Sequence, residues 1–146
     1  MAGGADPAAT AAATAASFVS DIGSIVDQLQ AAGAQHIIVW NTPNLGITPA
    51  VSAAGASAFA SFLAGVMNGA LSARLTGEVG VSILDVYGIG TTIAANPAAF
   101  GFTNVTDACG AVAGADCSKY TYWDGIHPTT AAHGTIAQAV AKLFGY

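Results

Sequence analysis

The stretch Tyr122-Trp123-Asp124-Gly125-Ile126-His127-Pro128 sets an aspartate three residues ahead of a histidine, just before a segment that starts a helix. A carboxylate within reach of an imidazole is the usual way to build a general base that works near neutral pH. Such a pair performs acyl transfer when a nucleophile faces it, which makes His127 the candidate base and Asp124 the acid that orients it. The nucleophile is unassigned, because no Gly-x-Ser-x-Gly, Gly-Asp-Ser or comparable turn occurs in the 146 residues. Ser17, Ser20, Ser24, Ser52, Ser57, Ser61, Ser72, Ser82 and Ser118 all read as helix or loop hydroxyls, and Ser118 lies nearest to Asp124 in sequence. Taken alone, Asp124 and His127 would read first as a helix-capping carboxylate and a surface histidine; their context puts the catalytic reading ahead.

The elements that must hold this pair follow from periodicity. Asp6-Pro7 is a capping signal, with a carboxylate at the N-cap and the residue best tolerated at the first helical position. Phe18, Ile22, Ile25 and Leu29, flanked by Val19 and Val26, then recur at helical spacing and predict one apolar face of a helix ending near Gly33. His36-Ile37-Ile38-Val39-Trp40 predicts a strand buried on both faces, and Asn41–Gly46 a loop. A second helix is expected from about Ala53 to Leu75 with Phe59, Phe62, Leu63, Val66 and Ala70 inward, followed by a strand over Val79–Tyr87 and a short helix over Thr91–Ala95. Pro97–Asp124 reads as a long functional loop, with Asp85 as a structural cap ahead of it. The last helix should begin near Pro128 or Thr129 and run to about Phe144, with Ile136, Val140 and Leu143 inward and His133 two turns along it. This order predicts an α/β fold with a short parallel sheet, in one domain spanning 1–146. Two strong strands make a poor sheet alone, and their edges call for neighbours.

Hydrophobic residues make up 53% of the chain and charged residues only 8%, against roughly a quarter in an average soluble domain. A surface clothed in Ala, Gly, Ser and Thr favours self-association. The net charge is −5, and Arg74, Lys119 and Lys142 stand singly, so no basic stripe exists to neutralise phosphates and no nucleic-acid partner is expected. Polar residues interrupt every apolar run, which argues against a membrane-spanning helix. The Ala-rich start has no basic region and contains Asp6-Pro7, so it is not a secretory signal, and an export signal would have to lie upstream of Met1. Cys109 and Cys117 share one Gly- and Ala-rich segment. A local disulfide and an oxidising, secreted or periplasmic compartment are the favoured reading, with two free thiols as the alternative. No ligand-spaced His or Cys pair points to a metal, and no cofactor is expected.

Four segments together resemble the C-terminal portion of SGNH (GDSL-type) hydrolases, a family of esterases and lipases on a flavodoxin-like three-layer α/β/α fold. They are Asn41-Thr42-Pro43-Asn44-Leu45-Gly46-Ile47-Thr48-Pro49, Leu84-Asp85-Val86-Tyr87, Asn96 through Thr106, and Trp123-Asp124-Gly125-Ile126-His127-Pro128-Thr129. The resemblance implies that His127 is the family's general base and Asp124 its partner. Of the family's four signature blocks, named for Ser, Gly, Asn and His, it places the Ser and Gly blocks ahead of Met1. It aligns Gly3-Gly4-Ala5-Asp6 with the Asn block, with Ala5 in place of the oxyanion-donating Asn. Losing one such donor costs on the order of 100- to 1000-fold in rate. The implied function is hydrolysis of small carboxylic esters. The alternative is a non-catalytic remnant that uses its incomplete sheet edge to form a homo-oligomer or to complement another fragment.

Overall fold

The computed structural model describes residues 6–145; the expected Gly3-Gly4-Ala5 block lies outside them. The first helix, α1 (Pro7–Ala31), starts where the capping signal puts it: Asp6 Oδ1 accepts from the Ala8 N–H, with Pro7 in the first turn. Its inward face keeps Phe18, Val19, Ile22 and Val26 of the expected one and loses Ile25 and Leu29. Ala11, Ala15, Gly23 and Val26 are buried and Phe18, Val19 and Ile22 pack beside them, while Ile25 and Leu29 are exposed. Small residues decided the rotation, because alanine and glycine let the helix approach its neighbours closely and longer apolar side chains one position away do not.

Beyond α1 come β1 (Ile37–Trp40), α2 (Pro49–Ala53), α3 (Ser57–Leu75), β2 (Val81–Leu84), α4 (Val86–Ala95), β3 (Asn104–Ala108), β4 (Tyr120–Tyr122) and α5 (Thr130–Leu143). The helix expected from about Ala53 to Leu75 starts later, at Ser57, and the separate short helix α2 precedes it; Gly55 between them has a φ of +67, which suits glycine and stops helix propagation. The buried face of α3 is Ala64, Leu71 and Leu75, whereas Phe59 and Phe62 are exposed. The second strand is shorter than Val79–Tyr87. Val79 lies almost wholly in solvent, and Asp85 Oδ1 accepts from the Gly88 N–H, starting α4 at Val86 rather than Thr91. A strand-like apolar pattern was overridden by a capping carboxylate.

The described residues form two compact units. In the first, residues 6–42 with 62–84, β1 and β2 pair in parallel with Val39 opposite Ile83. Val26, Val39, Leu71 and Leu75 are its buried core. Arg74 joins Asp27 and Glu78 at 2.6 Å each, and Asn68 clamps the end of β1 by accepting from the Thr42 N–H and donating to the Thr42 carbonyl. Both α1 and α3 are long and apolar enough to cross a membrane, with mean hydropathies of 1.3 and 1.2. By that measure their many Ala, Val, Ile and Leu residues outweigh the polar interruptions, but the measure counts length and composition only. Core helices of soluble proteins meet the same criterion, and α1 and α3 contribute Val26 and Leu71 to the buried cluster.

The second unit, residues 43–61 with 85–145, carries the Asp124 region. The segment Pro97–Asp124 is not the featureless loop expected of it: β3 and β4 pair in parallel within it, five residues of β3 lying along three of β4 with a bulge between Asn104 and Ala108. The strands are short and irregular, which is why no period-2 pattern reveals them. Ile93, Phe102 and Ala132 are buried together beneath them. Thr129 is the N-cap of α5. It is buried, its Oγ1 accepts from the Ala132 N–H and donates to the Tyr120 carbonyl, and its own N–H donates to the Thr121 carbonyl. One residue thus starts the helix and ties it to β4. Ile136 of α5 is buried as expected, but Leu143 is exposed. The molecule combines helices with short parallel sheets, a partial α/β fold of the kind the resemblance implies.

Candidate active site

Asp124 and His127 lie in a tight turn between β4 and α5. Asp124 Oδ1 accepts from the backbone N–H groups of Ile126 (2.8 Å) and His127 (2.6 Å), while Oδ2 meets the His127 Nδ1 at 2.7 Å. The expected alternative for Asp124, capping the last helix, does not hold, because Thr129 is the cap. With Asp124 ionised, Nδ1 carries the proton and Nε2 is left as the basic nitrogen of the neutral ring. The two backbone donors, His127 N–H first and Ile126 N–H second, hold the Asp124 carboxyl down to about 2, and the imidazole adds to this. The carboxylate therefore stays charged wherever an imidazole can be neutral. Both side chains are accessible, His127 at 75% and Asp124 at 49%, so solvent screens the charge between them.

The turn is braced from three directions. The Trp123 N–H donates to the His127 carbonyl at 2.8 Å and closes it. The Gly110 N–H donates to the Trp123 carbonyl at 2.8 Å, and the Ala50 N–H, from α2, donates to the Gly125 carbonyl at 2.9 Å. A side chain on Gly125 would meet the Ala50 Cβ at 2.8 Å, so only glycine allows that approach. Tyr122 bridges Pro128 in antiparallel fashion, fixing the exit of the turn. Sequence reasoning missed Ala50 and Gly110 altogether. Backbone donors carry no side-chain signature, and only the glycine in Asp-Gly-Ile-His hints at a close neighbour.

Cys109 and Cys117 are joined in a disulfide with Cα atoms 5.5 Å apart. Clefts flank Trp123 on two sides: one of about 510 Å³ lined by Cys117, Ser118, Pro128, Thr130 and His133, and one of about 350 Å³ lined by Ala108, Gly110, Ala111, Asp124 and Gly125. His133 is in the first turn of α5 rather than two turns along, and faces the larger cleft. Tyr122 is buried, which pushes its phenol up and keeps it neutral. Among the serines, Ser118 donates its hydroxyl to Asp116 Oδ1 and Ser61 donates to Asn44 Oδ1, both at 2.7 Å. Among the described residues no group of three or more His, Cys, Asp or Glu side chains could hold a metal ion.

Comparison with known proteins gives the family. Residues 1–140 match the family GDSL-like Lipase/Acylhydrolase, and the chain belongs to that family. It is similar to "Esterase EstA" of Pseudomonas aeruginosa, 34% identical over 128 residues, covering 75% of this chain and 20% of that protein, and equally to "Esterase EstA" of Pseudomonas putida. It is also similar to "Anther-specific proline-rich protein APG" of Arabidopsis thaliana, 32% identical over 147 residues, covering 83% of this chain and 27% of that protein. The matched region spans about a fifth of the length of the two esterases.

Proposed function

We propose that this chain carries the proton-accepting half of a carboxylic ester hydrolase that works through an acyl-enzyme. His127 Nε2 takes the proton of an attacking serine hydroxyl and later returns it to the leaving alcohol. Asp124 fixes the tautomer and stabilises the imidazolium formed in between. The observation that carries this reading is the 2.7 Å contact between His127 Nδ1 and Asp124 Oδ2 inside a turn braced from both sides. Family membership and the similarity to proteins named esterases support the reaction class, and the clefts beside Trp123 suit a small uncharged ester. The hydroxyls of Ser61 and Ser118 donate to other partners, so we assign the nucleophile to neither. The disulfide suits an oxidising location, outside the cell or in the periplasm.

A serine-directed fluorophosphonate tests the mechanism. Labelling that maps to one serine, disappears in His127→Ala and slows about 10²- to 10⁴-fold in Asp124→Asn is expected. Ester turnover without any labelling would point instead to water activated by the imidazole.

A second reading, a non-catalytic piece that associates with copies of itself, is favoured by the exposed Ile25, Leu29, Trp40 and Phe62 of the first unit. It expects oligomers that grow with concentration in sedimentation, and a strictly monomeric profile would rule it out.

A further inference from the structure

We propose that the Cys109–Cys117 disulfide, through the Gly110 peptide it anchors, is a positioning device for the Asp124–His127 pair; this rests on the hydrolase reading above. The bridge joins the residue after β3 to the residue three before β4, and Cys109 is buried. The next peptide, that of Gly110, donates to the Trp123 carbonyl at 2.8 Å. That carbonyl belongs to the peptide linking Trp123 to Asp124, so its orientation sets the direction from which the Asp124 side chain leaves the backbone. The contact is close on its other face too: a Cβ on Gly110 would stand 3.0 Å from the Trp123 oxygen and 3.4 Å from indole atoms Cε2 and Cζ2. Trp123 in turn closes the turn by donating to the His127 carbonyl.

Besides the bridge, Gly110 is held by bonds local to the ring, Val112 N–H to the Cys109 carbonyl (3.0 Å) and Ala115 N–H to the Val112 carbonyl (3.2 Å), and by little side-chain packing. The ring the bridge closes, Gly110-Ala111-Val112-Ala113-Gly114-Ala115-Asp116, contains one large apolar side chain, Val112, and that one is exposed. Such a segment has small side chains to pack and high backbone entropy to lose, so a covalent tie is the cheapest way to order it. The bracing from α2 through Ala50 and Gly125 acts on the far side of the turn and does not replace it.

The test uses the full chain in three forms: wild type before and after reduction by a phosphine, the double variant Cys109→Ala/Cys117→Ala, and Gly110→Ala with the bridge intact. The readouts are the Asp124 carboxyl titration by carbon NMR, kcat and KM with p-nitrophenyl acetate, and far-ultraviolet circular dichroism. Expected on reduction are unchanged secondary structure, an Asp124 midpoint that climbs from about 2 toward the ordinary 3.8, and kcat down about tenfold or more with little change in KM. Reoxidation restores both, and Gly110→Ala moves both in the same direction. A double variant that fails to fold leaves the decision to reduced wild type and to Gly110→Ala. An Asp124 midpoint that stays put once two free thiols are counted overturns the proposal. If wild type shows no turnover at all, the hydrolase reading fails, while the Asp124 titration still decides whether the bridge positions the pair.

Discussion

Asp124 divides its work between two oxygens: Oδ1 holds the backbone of the turn through Ile126 and His127, and Oδ2 holds the imidazole. An aspartate three residues before a histidine is legible in a sequence because both functions are local, reaching no further than the turn itself. Its titration follows from the same bonds. The folded carboxyl sits near 2, below the ordinary 3.8, so the support it gives the turn is complete above about pH 4 to 5 and is lost as pH falls through 2. Amide exchange at Ile126 and His127 should therefore stay slow down to about pH 4, after correction for intrinsic rates, and accelerate between pH 4 and pH 2. Exchange that is already fast at pH 6 would mean that the carboxylate does not hold these two N–H groups. The nucleophile is a different case. A serine is a catalyst only by virtue of what faces it, and none of the nine serines announces its surroundings in the sequence.

Helix starts and the first strand are readable at the level of elements. Asp6-Pro7 caps α1, and the β-branched run of β1 falls within His36–Trp40. Which face of a helix turns inward is less so: α1 buries Ala11, Ala15 and Gly23 beside Val26, and α3 buries Ala64 beside Leu71 and Leu75, while Ile25, Leu29, Phe59 and Phe62 face outward. A reading that ranks side chains by apolar size cannot see faces that mix small residues with large ones. The β3–β4 pair escapes for another reason, since its bulged, three- to five-residue strands have too few alternations to show a period. The element that matters most to the site is α5, whose cap Thr129 is hydrogen-bonded to β4 as well as to its own helix. Thr129→Ala removes the cap and leaves the Tyr120 carbonyl without that donor. We expect a loss of about 1 to 2 kcal/mol in urea unfolding. Thr129→Ser, which keeps the hydroxyl, should recover most of it, and equal losses in both variants would show that the methyl group, not the oxygen, carries the effect.

For the whole molecule, composition was the most transparent property and the division into two units the least. A pI near 4.6 and a charged fraction of 8% place the solubility minimum close to pH 4.6, where little repulsion remains to offset the exposed apolar side chains. Turbidity against pH should peak there and fall away on either side. Membership of the GDSL-like lipase and acylhydrolase family gives the proposed reaction class a frame, and the base we propose for it is His127 in the braced Asp124–His127 turn. The most direct measurement is the hydrolysis of p-nitrophenyl acetate by the wild-type chain and by His127→Ala, side by side at pH 8. A wild-type kcat/KM above the buffer rate that falls on the order of 10³-fold or more in the variant is the expected result. Turnover that survives the substitution unchanged would contradict the assignment of His127 as the base.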